Sequence, residues 1–156
     1  MAQSFLNSPL GLLRIVANDD AISEILFVDE QTAANESSDI LNSAASQLTE
    51  YFEGKRQAFD LPLSPIGTSF QQIVWKQLQQ IYYGITCTYL DIAKSLGDAN
   101  AIRAVGAANG KNPIAIIIPC HRVIATNGKL TGYAGGLWRK EWLLQHEGSI
   151  KQTTLF

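Results

Sequence analysis

Cysteine is scarce in this 156-residue chain, and its two copies, Cys87 and Cys120, cannot build the disulfide framework of a small secreted domain. A reducing, cytoplasmic setting is the expectation. Histidine is equally scarce, with only His121 and His146. There is no C-x-x-C pair and no histidine pair at ligand spacing, which argues against a structural zinc site, so no metal is expected. Long apolar runs are also missing. The longest, Ile114 to Ile118, stops at Pro119, far short of the roughly 20 residues that span a bilayer. The start of the chain has no basic region ahead of an apolar stretch, so no signal peptide is expected. Internal repeats and low-complexity tracts are absent. Nor is there a basic excess: the net charge is −2, an average that points away from nucleic acid.

What is present is core material. Hydrophobic residues make up 46% of the chain against 17% charged, enough for a packed interior and too apolar for a disordered chain. The charge is also unevenly divided. Residues 1–65 carry three basic and ten acidic side chains, a net of −7, whereas residues 66–156 carry nine and four, a net of +5. Such asymmetry between halves is itself a pointer to nucleic acid, and it reverses the inference from the total.

The division falls where the sequence pattern changes. Leu12–Ala17 and Ile22–Val28 are strand-like runs around Asn18-Asp19-Asp20, which predicts an antiparallel hairpin. Leu41, Ala44, Ala45, Leu48, Tyr51 and Phe52 recur at helical spacing before Gly54, and Phe59 and Leu61 are read as a further strand. Pro62 and Pro65 mark the boundary. Beyond it, Thr68 and Ser69 precede Gln71 and Gln72 by three residues, two overlapping capping-box signals. Phe70, Ile73, Val74, Leu78 and Ile81 form the expected apolar face of that helix. Thr88 with Asp91 caps a second helix ending near Gly97, and a short turn leads to a third at Ala101–Ala108. Helix, short glycine-containing turn and helix outline a helix-turn-helix. Ile114–Ile118 has the look of a fully buried strand or extended core segment, Lys129–Gly136 of a loop or short wing, and Trp138–Glu147 of a closing helix with Gly148 just past its end.

Cys120 follows a buried run and a proline, with His121 next to it. A free thiol of reference pKa about 8.5 is only a few per cent thiolate at neutral pH, and a nearby imidazole raises that fraction. Adjacency alone does not bring the two together, because consecutive side chains on an extended backbone point to opposite sides. Contact requires a turn or a bridging water. Glu147, placed at a helix C-terminus where the dipole disfavours a carboxylate, is a candidate to orient His121. The plain alternatives are a core cysteine, a solvated glutamate and, for His146, a helix-end residue. Cys87 reads as a core thiol.

The string Ile118-Pro119-Cys120-His121-Arg122-Val123-Ile124 resembles the active-site signature of the O6-methylguanine-DNA methyltransferases. Tyr89, Arg103-Ala104-Val105-Gly106, Asn112-Pro113, Gly132-Tyr133-Ala134-Gly135-Gly136-Leu137 and the run from Lys140 to Gly148 match the family in order and spacing. The resemblance is dense from Thr68 to Gly148. Toward the N-terminus it holds in outline, beginning with Ser8-Pro9-Leu10-Gly11.

The resemblance implies an α+β chain: a small antiparallel-sheet domain of ribonuclease-H-like type at residues 1–65, and a helical winged helix-turn-helix domain at residues 66–156. It implies a monomer that needs no cofactor and has no membrane partner. Its partner is double-stranded DNA carrying O6-alkylguanine, entered through the minor groove. Cys120 is then nucleophile and permanent alkyl acceptor, His121 takes its proton through a water, Glu147 holds the imidazole and Asn112 braces the turn. Tyr89 assists the departing base. Arg103 fills the space of the flipped nucleotide, with Tyr89, Gln71, Thr126 and Arg122 as further DNA contacts. Tyr133, Ala134 and Val123 line the base pocket. Ala134 stands where some members have serine, which leaves only a backbone donor there. The chain has no N-terminal cysteine cluster, so neither the zinc site of some relatives nor a metal-dependent phosphotriester-repair domain is expected.

Three other classes stay open on the residues alone: a non-catalytic binder of alkyl damage, a multiple-turnover cysteine hydrolase or transferase, and a sequence-specific helix-turn-helix regulator. Cys120 speaks against the first.

Overall fold

The computed structural model describes residues 1–149, and these fall into two compact units. Residues 1–66 with 113–117 form one unit; residues 67–112 with 118–149 form the other. The elements are mixed α and β. No helix among the described residues is long and apolar enough to cross a membrane.

The first unit is an antiparallel three-stranded sheet of β1 (Ala2–Ser8), β2 (Gly11–Asn18) and β3 (Ala21–Val28), in that order, with helix α1 (Asp39–Phe52) packed against it. The hairpin expected around residues 18–20 is present, turned by Asp19 at a φ of 54°. Register pairs Ile15 with Ile25 and Leu13 with Phe27. Leu13, Ile15, Ile22 and Ile25 are buried, and Leu41, Ala44, Leu48 and Tyr51 of α1 are buried with them. The i, i+3, i+7, i+10 spacing read from the sequence is the buried stripe of α1. Ser38 caps the helix by accepting a hydrogen bond from the Leu41 backbone N–H.

Three details of this unit depart from the sequence reading. Strand β1 was not expected, since its Gln3, Ser4, Asn7 and Ser8 dilute the apolar signal. Phe59 and Leu61 form no strand; the bridge at that end is Leu63, paired parallel with Ile22. The run Ile114–Ile118 is buried at Ile114, Ile116 and Ile118, as read, but it is neither a strand nor an extended segment. After one bridge, Ile25 with Ile114, the chain turns, and Ile116 takes a φ of 73°. A branched side chain in that region is strained.

The second unit is helical. Helix α2 (Ser69–Leu78) is followed by the two-residue strand β4 (Cys87–Thr88), α3 (Tyr89–Ser95), α4 (Ile102–Gly110), strand β5 (Val123–Ile124) and α5 (Leu137–His146). Helices α3 and α4 pack as the expected helix-turn-helix. Of the two overlapping caps, the fold uses Thr68 with Gln71, both halves of the box being formed. The Thr88–Asp91 box is formed as well.

The buried face of α2 is rotated from the one read off the sequence: Val74, Trp75 and Leu78 are inside, whereas Phe70 and Ile73 are exposed. Trp75 decides this, because its large indole gains most from burial and its Nε1–H reaches the Ala108 carbonyl at 2.9 Å. Strands β4 and β5 pair parallel, Cys87 beside Val123. Residues 129–136 form a loop without strands.

Candidate active site

The site lies within the second unit and starts from a bend. Pro119 ends the buried run, and Cys120–Arg122 closes a single 3-10 turn in which the Arg122 N–H reaches the Pro119 carbonyl at 3.0 Å. That turn replaces the extended geometry that would have sent Cys120 and His121 to opposite sides.

Two amides at the end of α4 hold it. Asn112 Nδ2 donates to the Ile118 carbonyl at 2.7 Å, and Asn109 Nδ2 donates to the Cys120 carbonyl at 3.3 Å. Burial pushes the Cys120 thiol up. A hydrogen bond from the Asn112 side chain, the Lys140 charge and the turn's own backbone act the other way, favouring the thiolate.

Glu147 is brought in by the end of α5. It is the C-cap residue, and Gly148 follows with a φ of 78°. The Gly148 N–H reaches Gln145 and the Ser149 N–H reaches Leu144, closing the Schellman turn that a glycine permits. The carboxylate is fully removed from solvent and meets two partners. His121 Nε2 lies 2.8 Å from Oε2, while Arg122 donates from Nε to Oε1 at 2.8 Å and from Nη2 to Oε2 at 3.0 Å.

Burial pushes the Glu147 carboxyl up, but the charges and hydrogen bonds of His121 and Arg122 outweigh it and hold the group well below its ordinary range. Burial also pushes the His121 imidazole down, and the Arg122 and Lys140 charges add to that against the pull of Glu147. At neutral pH the carboxylate is therefore ionised and the imidazole neutral. An ionised carboxylate can only accept, so Nε2 carries the hydrogen and the lone pair is on Nδ1. That nitrogen is buried and has no hydrogen-bond partner among the described residues.

A second group closes the site on the loop side. Lys140 is fully buried, its Nζ donating to the carbonyls of Val123 at 2.6 Å and Thr131 at 2.8 Å. The Tyr89 hydroxyl donates to the same Thr131 carbonyl at 3.2 Å. Burial pushes Tyr89 up, and a negative charge at Cys120 is close enough to add to the effect. The Tyr133 hydroxyl is buried and has no hydrogen-bond partner among the described residues.

His121 thus meets Glu147, and Asn112 holds the turn on which Cys120 precedes His121. Tyr89 and Tyr133 stand within electrostatic reach of Cys120. Val123 is buried in β5, and Ala134 is exposed. Arg103 is exposed on the first turn of α4, Thr126 is exposed after β5, and the Gln71 side-chain oxygen is committed to the α2 cap.

Arg122 corrects the expectation of a DNA contact. It is buried, and its guanidinium is occupied by Glu147 and by the Ile81 carbonyl at 2.6 Å from Nη1. No face is left for a phosphate.

Lys140 and Asn109 were missed as site residues, although their spacing held the signal. Lys140 shares the buried stripe of Leu143 and Leu144, and Asn109 that of Val105 and Ala108. A polar residue at i or i+4 of an apolar stripe needs an internal partner.

A buried cysteine on one turn with a neutral imidazole that an ionised carboxylate holds, in the same unit as a helix-turn-helix, defines a class: proteins built around a cysteine site on a nucleic-acid-binding scaffold. Comparison with known proteins narrows it. Residues 69–149 match the family model described as 6-O-methylguanine DNA methyltransferase, DNA binding domain, and residues 1–65 match its ribonuclease-like domain. The chain belongs to the 6-O-methylguanine DNA methyltransferase family.

Among relatives, it is 44% identical to a methylated-DNA–protein-cysteine methyltransferase of Methanosarcina acetivorans, over 96% of this chain and 99% of the relative. It is 46% identical to one of Mycolicibacterium paratuberculosis, over 97% and 96%. The solved structure of the Mycobacterium tuberculosis O6-methylguanine methyltransferase aligns with a TM-score of 0.86 at 41% identity, covering 99% of this chain and 96% of that one. Mycobacterium tuberculosis OGT in complex with DNA aligns with a TM-score of 0.87 at 43% identity, covering 96% and 94%.

Proposed function

We propose that this chain repairs O6-alkylguanine in double-stranded DNA by moving the alkyl group irreversibly to its own Cys120, one transfer per molecule. The observation that carries the reading is the buried array of Cys120, His121 and Glu147, with the imidazole lone pair placed on Nδ1.

The reacting carbon is inaccessible inside a duplex, so the damaged base leaves the stack. Arg103, exposed at the start of α4, fills the space and offsets the few kcal/mol of unstacking. The Cys120 proton passes through a water to His121 Nδ1, and the ionised Glu147 stabilises the imidazolium that results. The sulfur then attacks the alkyl carbon: the S–C bond forms as the C–O6 bond breaks, and the electron pair leaves on guanine. Tyr89 donates to the departing base, where charge appears in the transition state. Tyr133 and the backbone at Ala134 line the base pocket. The thioether product has no leaving group for water, so the protein is consumed. Asn112 braces the turn throughout. The domain boundary near residues 65 and 66, a monomeric state, a cytoplasmic location and minor-groove entry belong to the same reading.

The test is the stoichiometry of transfer from a duplex whose O6-methyl group is labelled. One label per chain is expected, with none taken up by Cys120→Ala. Multiple turnover, or labelling of the Cys120→Ala variant, would overturn the reading; lesion binding without transfer by the natural chain would place it among non-catalytic damage binders.

A further inference from the structure

His121 can serve as a base only if its ring is neutral when the thiol proton arrives and its lone pair is on Nδ1. A buried carboxylate paired with an imidazole alone works against this. Its charge is most readily neutralised by a proton on the ring, and a ring already protonated accepts nothing.

Arg122 lifts that demand. Its planar guanidinium faces both carboxylate oxygens of Glu147, Nε on Oε1 at 2.8 Å and Nη2 on Oε2 at 3.0 Å. The Glu147 charge is therefore balanced before His121 contributes anything beyond one hydrogen bond. The guanidinium is itself fixed. Its Nη1 donates to the Ile81 carbonyl at 2.6 Å, and its carbon lies 5.9 Å from the Tyr83 ring centroid. Tyr83 in turn donates its hydroxyl to the His146 carbonyl at 3.2 Å, next to Glu147. Arginine suits the place because only a fork can hold both oxygens; a lysine is a point charge.

We propose that Arg122 is a positioning residue of the transfer reaction: by fixing and neutralising the Glu147 carboxylate, it keeps His121 a neutral base with Nδ1 free to take the Cys120 proton. This deepens the transfer reading and rests on it. The charged and titratable groups that bear on the pair are Arg122 and Lys140, which oppose protonation of the ring, and Glu147, which favours it. Tyr83, Tyr133 and Cys120 complete the surroundings, all three with their protons held more tightly than usual.

The test uses the full chain and its two histidines, His121 and His146, whose ring resonances are followed by NMR across pH without DNA. In Arg122→Gln, which keeps a donor and loses the charge, the His121 midpoint is expected to rise by about one pH unit or more while His146 stays put. The acid limb of the methyl-transfer profile is expected to move with it. At pH values below both midpoints the variant then loses about tenfold in rate for each unit of rise, and it recovers on the alkaline side.

An unmoved His121 midpoint, or a loss of rate equal at every pH, would overturn the proposal. Should Arg122→Gln fail to fold, Arg122→Lys decides: a smaller rise of the His121 midpoint is expected, and no rise overturns the idea. Failure of the transfer reading looks different, because the natural chain would then leave Cys120 unmethylated whatever the imidazole titration shows.

Discussion

The imidazole of His121 and the carboxylate of Glu147, 26 residues apart in sequence, meet at 2.8 Å with both side chains wholly removed from solvent. Water cannot substitute for either partner, so the consequences of removing one are large. Glu147→Gln leaves the Arg122 guanidinium buried and unpaired, which costs about 3–5 kcal/mol of stability. It also leaves His121 without the group that stabilises its protonated form, which slows transfer by about 10²–10⁴-fold. Urea unfolding and single-turnover transfer from methylated duplex check the two effects separately.

The same pair sets the response to acid. The Glu147 carboxyl is held in the folded chain well below its ordinary value of 4.5. A depressed carboxylate contributes stability that is fully present above the unfolded value and is lost as the pH falls through the folded one. The depressed His121 imidazole starts to cost stability as the pH falls below its ordinary 6.5, and the contribution of Glu147 is lost progressively below about 4.5. Glu147→Gln should show a shallower acid slope in the urea midpoint; equal slopes would contradict the assignment.

Lys140 predicts the opposite behaviour on the alkaline side. Burial pushes its ammonium down from 10.5 to about 8. Between those values the unfolded chain binds the extra proton, so this group's contribution to stability rises with pH there. The buried cysteines and tyrosines, whose protons are held more tightly when folded, pull the other way. Comparing the natural chain with Lys140→Met at two alkaline pH values isolates the lysine. The stability difference between them should shift in favour of the natural chain as the pH rises.

Gly67 carries a steric prediction. A Cβ there would sit 2.3 Å from Trp75 Cη2 and 2.6 Å from Gln71 Oε1. The indole is buried and tied to the Ala108 carbonyl, so it has little room to yield. Gly67→Ala is expected to cost about 1–3 kcal/mol by overpacking, read as a lower urea midpoint. Substitution at Gly54 meets no atom, although its positive φ adds backbone strain.

Local signals were legible where a residue's job is done within one turn of helix. The Thr68–Gln71 and Thr88–Asp91 boxes, the stripe of α1 and the glycine after Glu147 were all readable because their partners lie three or four residues away. Local pattern does not settle an element where distant competition decides. Trp75 turned α2 away from Phe70 and Ile73, and Ile114–Ile118 bends after a single bridge although it is apolar throughout.

The site shows the same split. Glu147 is visible as a chemistry-bearing residue in the run from Lys140 to Gly148, and Cys120 and His121 in the run from Ile118 to Ile124. Arg122, in that same run, was misassigned to DNA, since nothing local reveals that its partners are Ile81 and Glu147, 41 residues before it and 25 after. A charge next to a reactive cysteine reads as a surface contact until its burial is known.

The central claim is that Cys120 itself receives the alkyl group, and mass analysis of the peptide containing it tests this most directly. After a single incubation with duplex DNA bearing O6-methylguanine, that peptide is expected to gain the mass of one methyl group on the Cys120 sulfur, in proportion to the lesions lost from the DNA. Loss of the lesion with an unmodified Cys120, or the methyl group on Cys87 instead, would contradict the account.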